Sequence, residues 1–241
     1  MRYEEQTLPE IGIAAAYGNA WRQLWENFLI LFIIGIVSML LAAPAGVFNL
    51  FGDIGVAIIG EGDNDATTVL GGGIAFFATI FSFFYGILIT APLKYGVDYT
   101  YLRAARNDPL DIVDMFAFIR NYIHAVMATI LVGIIVTIGF IFFIIPGIYL
   151  ACKLAFTPYL IVDRRLNVID ALQESWEMTD GHAFKVFMIG LLGIPITLGG
   201  LMLMIVGIIP AIMWVKLAYA SLYHAIEFEE EIEASMYGAA Y

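Results

Sequence analysis

Residues 27–52 and 66–93 contain no charged side chain, and this constrains the fold more than any other feature of the sequence. A helix needs about 20 apolar residues to cross the roughly 30 Å hydrocarbon core of a bilayer. Each stretch is long enough for one crossing. The sequence therefore predicts two membrane-spanning helices, at residues 28–51 and 69–93.

Two further apolar blocks are too long for single crossings. They cover residues 122–162 and 186–226, and a straight helix of that length would measure about 60 Å, twice the thickness of the core. Each block must therefore fold back on itself. Because proline cannot continue an incoming helix and Pro-Gly suits a tight turn, we place the breaks at Pro146-Gly147 and at Pro210. Six spans result, of which the fourth and sixth are short.

The composition favours an all-α polytopic integral membrane protein over a soluble domain. Only 14% of the residues are charged and the mean hydropathy is +0.87, whereas soluble domains carry about a quarter charged residues. The net charge is −11 and there is no basic run, which argues against nucleic acid as a partner. We expect membrane lipids as partners, with a protein partner or a homo-oligomer left open.

Lysine and arginine are confined to alternate segments, apart from one lysine in each of the last two blocks. The segment between the first two spans, residues 52–68, has neither residue type. The positive-inside rule places the basic segments in the cytoplasm. We therefore predict a plasma-membrane protein with both termini in the cytoplasm. The residues that set this orientation are Arg2, Arg22, Lys94, Arg103, Arg106, Arg120, Arg164, Arg165 and Lys185.

The last two apolar blocks resemble each other. Ile-Ile-Pro-Gly-Ile at residues 144–148 is echoed by Ile-Ile-Pro-Ala-Ile at 208–212, and Lys-Leu-Ala-Phe at 153–156 by Lys-Leu-Ala-Tyr at 216–219. The alternative is chance similarity between segments rich in isoleucine, leucine and alanine. The echo favours an internal repeat of membrane hairpins.

Each hairpin follows a segment that opens like a helix. Asp108, Asn167 and Thr7 each stand three residues before an acid, as N-cap residues do. We therefore predict three tandem units, each consisting of an amphipathic helix on the cytoplasmic surface followed by a membrane hairpin. The units cover residues 7–93, 107–163 and 167–227, and an acidic cytoplasmic tail follows at 228–241.

Residues 168–179 show the clearest amphipathic pattern, and Asp180-Gly181 closes the predicted helix. Its polar face is acidic, which argues against electrostatic attachment to anionic lipid. Packing against the chain's own span ends is the favoured interpretation, and docking of a partner is the alternative. The inner face comprises Val168, Ala171, Leu172, Ser175, Trp176 and Thr179, and the polar face Asp170, Gln173, Glu174 and Glu177.

Residues 145–187 carry a recognisable series of motifs. They include Ile145-Pro146-Gly147-Ile148-Tyr149, Lys153-Leu154, Phe156, Pro158, Val162-Asp163, Ala171-Leu172, Ser175-Trp176, Thr179, Gly181-His182 and Phe184. This run resembles the membrane domain of bacterial glycerophosphoryl diester phosphodiesterases and related stand-alone bacterial membrane proteins of unknown function. The resemblance implies a multi-span bacterial plasma-membrane protein. It does not imply phosphodiesterase activity, which belongs to a separate soluble barrel of about 250 residues.

The sequence offers little for catalysis or metal binding. His124, His182 and His224 are far apart, and none has a second ligand at helical spacing. Nucleophile elbows, P-loops and dinucleotide fingerprints are missing. The acidic loop at residues 61–65 lacks the spacing of a calcium loop. We therefore predict no catalytic residue, no metal site and no cofactor.

Lys153 and Lys216 are the charges that most need an explanation, because each lies inside an apolar block shortly after a proline. A charge at the bilayer centre costs at least about 2.5–3.5 kcal/mol. Each ammonium group can snorkel to the headgroups along its own stem. Alternatively, the two lysines form a paired cationic site that binds an anionic group, such as a lipid phosphate. They are the predicted ligand-binding residues.

Three functions remain at this point. The first is a non-enzymatic membrane protein that binds or helps to move an anionic lipid or amphiphile, or that serves as an accessory membrane subunit. The second is a small carrier resembling secondary transporters, where repeats and broken helices are common. An intramembrane enzyme ranks last, because no cluster of acid, base and nucleophile is visible.

Overall fold

The computed structural model describes residues 10–59, 65–202 and 204–238, and every regular element in these ranges is a helix. A π-helical turn at Gly86–Thr90 joins α3 to α4, and a 3₁₀ helix at Ile112–Asn121 precedes α5. The α-helices are α1 (Ile13–Glu26), α2 (Phe28–Ile59), α3 (Asp65–Tyr85), α4 (Ala91–Ala105), α5 (Tyr122–Phe142), α6 (Ile144–Lys153), α7 (Thr157–Val162), α8 (Val168–Met178), α9 (Ala183–Met202) and α10 (Met204–Gly238). The all-α prediction is confirmed.

Five helical segments in the described ranges are long and apolar enough to cross a membrane. Their most apolar windows are largely exposed on the protein surface, as expected where lipid rather than water is the solvent. The sixth predicted span lies in α10, which is not among the five, so the count of six stays a prediction. The five segments are Phe28–Ile54, Val69–Ala105, Ile112–Phe142, Ile144–Val162 and Ala183–Met202.

The helices pair as three antiparallel hairpins in chain order. In the first, α3 folds back on α2, and the hydroxyls of Ser82 and Tyr85 donate to the carbonyls of Ala45 and Leu41. These two carbonyls flank Pro44, which lies within α2. In the second hairpin α6 folds back on α5, and in the third α10 folds back on α9. A shorter helix precedes each hairpin: α1, the 3₁₀ helix and α8.

Small residues allow the second and third hairpins to close tightly. A Cβ on Gly139 would lie 3.0 Å from the Cα of Gly147. A Cβ on Gly200 would lie 2.6 Å from the Cβ of Ala211. Both hairpins thus place a glycine of the incoming helix against the residue that follows the proline. Close backbone approach of this kind is a common mode of packing between membrane helices.

Both predicted proline breaks are wrong. The second hairpin turns at Phe143, whose backbone is extended, and Pro146 is the third residue of α6. Proline is tolerated there because N–H groups in the first turn of a helix have no partner within it. In the third hairpin α9 ends at Met202 and α10 begins at Met204, and Pro210 lies inside α10. A membrane bundle accommodates such a proline because neighbouring helices satisfy the freed backbone groups.

The second span also ends later than predicted. Pro92 stands at the start of α4, and the helix continues beyond residue 93 to Ala105. Lys94 and Arg103 therefore lie within this helix. The π turn Gly86–Thr90 precedes Pro92, and the chain stays helical from α3 through this turn into α4.

The predicted surface helices are partly right in their boundaries. Asn167 caps α8, because its side chain accepts from the backbone N–H of Asp170. The 3₁₀ helix is capped by Asp111 and not by Asp108, through a capping box with Asp114. The helix α1 begins at Ile13, and Thr7 lies outside the described residues.

The core lies where α1, α4, α7 and α10 meet, near the ends of the hairpins that carry the arginines. One face of α1 is fully packed into it, and the amide of Gln23, which has no exposed surface, donates to Asn107. The Tyr17 hydroxyl donates to the carbonyl of Ile189, which fixes α1 to α9. The helix α1 is therefore part of the bundle.

Candidate functional site at the basic end of the bundle

Four arginines mark one end of the bundle, which we call the basic end: Arg106, Arg120, Arg164 and Arg165. Arg106 follows α4, Arg120 precedes α5, and the other two follow α7. A bidentate ion pair from Arg106 to Asp163, with distances of 3.0 and 2.7 Å, joins the first and last of these segments.

Glu227 of α10 is the centre of an ion-pair network at this end. Its Oε2 accepts from Arg106 at 2.5 Å and its Oε1 from Arg164 at 3.3 Å. Arg164 also pairs with Glu174 of α8 at 2.6 Å. The carboxylate of Glu227 therefore links three segments that are far apart in sequence. Arg106 and Arg164 each have more than one acceptor.

Burial and charge set the pKa values in this network. Burial by itself raises the pKa of Glu227, but the guanidinium groups of Arg106 and Arg164 outweigh it and lower that pKa to about 2. Burial by itself lowers the pKa of Arg106, but its bonds to Asp163 and Glu227 raise it above the ordinary value. Glu227 and Arg106 therefore stay ionised across the physiological range.

A cavity of about 390 Å³ opens on the same residues. The Nδ1 atom of His224 is buried without a hydrogen bond and lies 3.9 Å from Glu227 Oε2. The Tyr223 hydroxyl is also buried without a partner in the described part of the chain. Carboxylates outnumber arginines in the lining, so the cavity does not favour an added anion. It is lined by Arg106, Asp163, Arg164, His224, Glu227, Phe228 and Glu231.

Lys153, the last residue of α6, is 1% exposed. Its Nζ donates to Asp180 Oδ1 at 2.8 Å and to the carbonyl of Trp176 at 3.3 Å, and it lies 5.1 Å from the centre of the Trp176 ring. The carbonyl belongs to the C-terminal turn of α8, where the helix dipole favours a cation. The hydrogen bond and charge of Lys153 lower the pKa of Asp180, whose side chain is 83% exposed.

The backbone after Lys153 leaves the helical path at residues 154–156. Two hydroxyls satisfy the freed groups: that of Ser175 in α8 and that of Thr179, the residue after α8. Ser175 accepts from the N–H of Phe156 at 3.2 Å and donates to the carbonyl of Lys153 at 2.9 Å. Thr179 donates to the same carbonyl at 3.2 Å. The predicted inner face of α8 is therefore partly polar, because its hydroxyls bond to the backbone groups that this break leaves free.

Lys216 of α10 pairs with a different carboxylate, Asp98 of α4. Its Nζ also lies 5.8 Å from the centre of the Tyr101 ring. Each of the two lysines thus has a counter-ion from another element of the same chain. Asp98 and Asp180 were not predicted from the sequence as partners of these lysines. That the lysines bind an anionic group stays a prediction.

Two arginines at the basic end are exposed and form no ion pair with the carboxylates in the described ranges: Arg120 and Arg165. Asn121 brings their segments together, because its amide donates to the carbonyls of Ile161 and Leu166 at 3.1 and 3.2 Å. Sequence reasoning used these arginines for orientation only. That these two arginines lack a carboxylate partner can be seen only in the structure, where the partners of the other cations are known.

The three histidines do not meet. His182 contacts the carbonyl of Asp180, His224 lines the cavity, and His124 lies near the start of α5. In the ranges that the structure describes, no three residues of His, Cys, Asp and Glu gather in a way that could hold a metal ion. Most of the acidic loop at 61–65 lies outside the described residues.

Helix content and five spanning-length apolar segments define the chain as an all-α, membrane-embedded protein. No family model, curated protein or solved structure matches it. The resemblance to the membrane domain of glycerophosphoryl diester phosphodiesterases therefore stays a prediction.

Proposed function

We propose that this chain is a non-enzymatic integral protein of the plasma membrane, that its basic end faces the cytoplasm, and that it binds anionic lipid headgroups there. The exposed, unmatched arginines Arg120 and Arg165 carry this proposal. Other arginines of the basic end are neutralised by carboxylates of the chain itself. These two retain their charge for a partner outside the chain.

The surroundings of Arg120 and Arg165 fit a lipid at the boundary between headgroups and acyl chains. Ile119 and Ile123 are exposed on either side of Arg120, at the start of the apolar helix α5. The backbone of Arg165 has a φ of 53°, which lies in the left-handed region that residues other than glycine rarely adopt. Each guanidinium group offers the forked donor geometry that suits a phosphate. A phospholipid would fit both parts of the site: its phosphodiester would bind the arginines and its acyl chains would lie along α5.

Native mass spectrometry of the purified protein in equal mixtures of phosphatidylglycerol and phosphatidylcholine tests the proposal. We expect the wild type to retain phosphatidylglycerol preferentially and Arg120→Gln/Arg165→Gln to lose most of that preference. Arg22→Gln is the matched control, since Arg22 is exposed and has its own partner in Glu26. Equal lipid retention by the wild type and the double variant would overturn the proposal.

Solute transport is a second candidate, favoured by the non-helical backbone at residues 154–156 inside the fourth span. Broken helices form the substrate sites of many transporters. The single cysteine, Cys152, lies beside this break and is half-exposed. Alternating access would let impermeant thiol reagents reach it from both sides of sealed vesicles. Labelling from one side or from neither side would exclude this candidate.

A further inference from the structure

The helix α10 continues well beyond the bundle. It has 35 residues and is therefore about 52 Å long, against a hydrocarbon core of roughly 30 Å. Its last wholly packed residues are Ile226 and Glu227. We call residues 228–238 the α10 extension. As the continuation of a packed helix it needs no nucleus of its own, and a partner that packed against it would stabilise it further.

The α10 extension is amphipathic. Phe228, Ile232 and Met236 recur at every fourth position and share one face of the helix. Ile232 is 36% exposed and Met236 is 61% exposed. Glutamates stand between them, at positions 229, 230 and 231. An apolar stripe flanked by one sign of charge therefore projects from the basic end.

The charge around this stripe is unbalanced. Burial raises the pKa of Glu230, and the nearby carboxylates of Glu174 and Glu177 raise it further. Arg164 holds α8 beside α10 through Glu174 and Glu227, so the acidic face of α8 adds to the same surface. A cationic partner would relieve this repulsion.

The chemistry of the surface selects among possible occupants. A second copy of the chain would bring the glutamates of one extension against those of the other. An anionic membrane surface would be repelled in the same way. A basic amphipathic helix satisfies both the apolar stripe and the charges.

We propose that the α10 extension, together with the acidic face of α8, docks a Lys- and Arg-rich amphipathic helix of a partner protein. This goes beyond lipid binding, because the docking surface and the arginine pair Arg120 and Arg165 use different residues. It assigns the chain a role as an accessory membrane subunit that recruits its partner through a helix-to-helix contact.

The test uses the full chain in phosphatidylcholine nanodiscs, with empty nanodiscs as the background. The probe is a synthetic amphipathic peptide with leucine at heptad positions a and d and lysine elsewhere. A second peptide carries glutamate in place of lysine. We expect the wild type to bind the lysine peptide and not the glutamate peptide. Equal binding of both peptides, or of neither, would contradict the proposal.

Two variants separate the apolar and the charged contributions. Ile232→Glu/Met236→Glu should weaken binding of the lysine peptide at least about tenfold. Glu229→Lys/Glu231→Lys should reverse the preference and favour the glutamate peptide. Val113→Glu changes an exposed apolar residue of the 3₁₀ helix, outside the proposed docking surface, and should leave binding unchanged. Wild-type binding by both double variants would overturn the proposal.

The same variants exclude the other occupants. If the wild type is a dimer by analytical ultracentrifugation and Ile232→Glu/Met236→Glu is a monomer, the stripe binds a second copy and the proposal fails. If that variant instead loses affinity for the protein-free phosphatidylglycerol vesicles that the wild type binds, the stripe binds lipid and the proposal also fails.

Discussion

The Tyr122 hydroxyl donates a 2.6 Å hydrogen bond to the carbonyl of Leu88, four residues before Pro92. Pro92 has no N–H, so it cannot supply the bond that this carbonyl accepts in a regular helix. The chain passes through the π turn Gly86–Thr90 at this point. Because lipid offers no water to replace the missing donor, a side chain of α5 takes its place and ties the first hairpin to the second.

Tyr122→Phe should therefore destabilise the protein by about 1 kcal/mol, the range measured for hydrogen bonds between membrane helices. In a Pro92→Ala background a backbone N–H is available again for Leu88, and the same change should cost less than about half of that. Unfolding in mixed micelles with increasing dodecyl sulfate measures both effects. An equal loss in the two backgrounds would show that the tyrosine does not compensate for the proline.

Gly96 has the least space around it among the glycines whose surroundings the structure describes. A Cβ at this position would lie 1.9 Å from the carbonyl oxygen of Met115, which belongs to the backbone of the 3₁₀ helix. Gly96→Ala should therefore cost about 2 kcal/mol or more, because the 3₁₀ helix has to move away from α4. Gly133→Ala is the control, since nothing lies within 4 Å of its Cβ, and it should be neutral or stabilising. Thermal unfolding in detergent compares the two.

Local signals explain why α8 was predictable. Asn167 at its start and Gly181 beyond its end, with a φ of 70°, act within a few residues of the helix. The apolar blocks were equally clear, because a span needs only length and composition. The turns were misplaced for the opposite reason: Pro146 is compatible with the first turn of a helix, and Pro210 is tolerated inside one. Proline alone does not mark a membrane turn.

The ion pairs between residues far apart in the chain could not be predicted from the sequence. Lys216 meets Asp98 across 118 positions, and Arg106 meets Glu227 across 121. No periodicity relates such residues, because their approach depends on how α4 and α10 pack. The nearer pair, Lys153 and Asp180, forms only because α8 returns to the break after α6. Tertiary packing decides these contacts.

The two lysine ion pairs should behave differently on substitution. Asp180→Asn leaves Lys153 as a buried charge without a counter-ion, and we expect it to destabilise the protein more than Lys153→Met does. The double variant Lys153→Met/Asp180→Asn should recover most of the loss. Lys216 is 34% exposed, against 1% for Lys153, so removing its counter-ion should cost less and its coupling to Asp98 should be smaller. Double-mutant cycles by thermal unfolding measure both couplings, and equal couplings would contradict the difference in burial.

Bound phospholipid tests the predicted anion site at these lysines in the same variants. If Lys153 and Lys216 bind one anionic group together, each Lys→Met change should lower the phosphorus content of the purified protein. The double change should then do little more than either single change, because both charges act on one ligand. Equal phosphorus in all four proteins would remove the lysines from the ligand site.

Single cysteines test the proposed orientation. In a Cys152→Ala background, Asp108→Cys lies at the basic end and Phe143→Cys lies at the exposed turn between α5 and α6. We expect an impermeant maleimide added to intact cells to label position 143 and to reach position 108 only after lysis. The positive-inside rule gives this direction. The reverse pattern would invert the topology, and labelling of both positions in intact cells would exclude the proposed hairpin.

Glu227 should make stability depend on pH in a characteristic way. Its pKa falls from an ordinary 4.5 to about 2, so its contribution is complete above about pH 4.5 and is lost as the pH falls towards 2. Reduced for partial solvent exposure, that contribution is about 2 kcal/mol at pH 7. Glu227→Gln should therefore be less stable than the wild type at pH 7, and the difference should shrink on acidification. Glu229→Gln, an exposed control, should change stability by less than about 0.5 kcal/mol. Thermal unfolding in a non-ionic detergent between pH 7 and pH 3 measures this difference in stability. A difference that does not change with pH would show that the ion pairs of Glu227 do not stabilise the basic end.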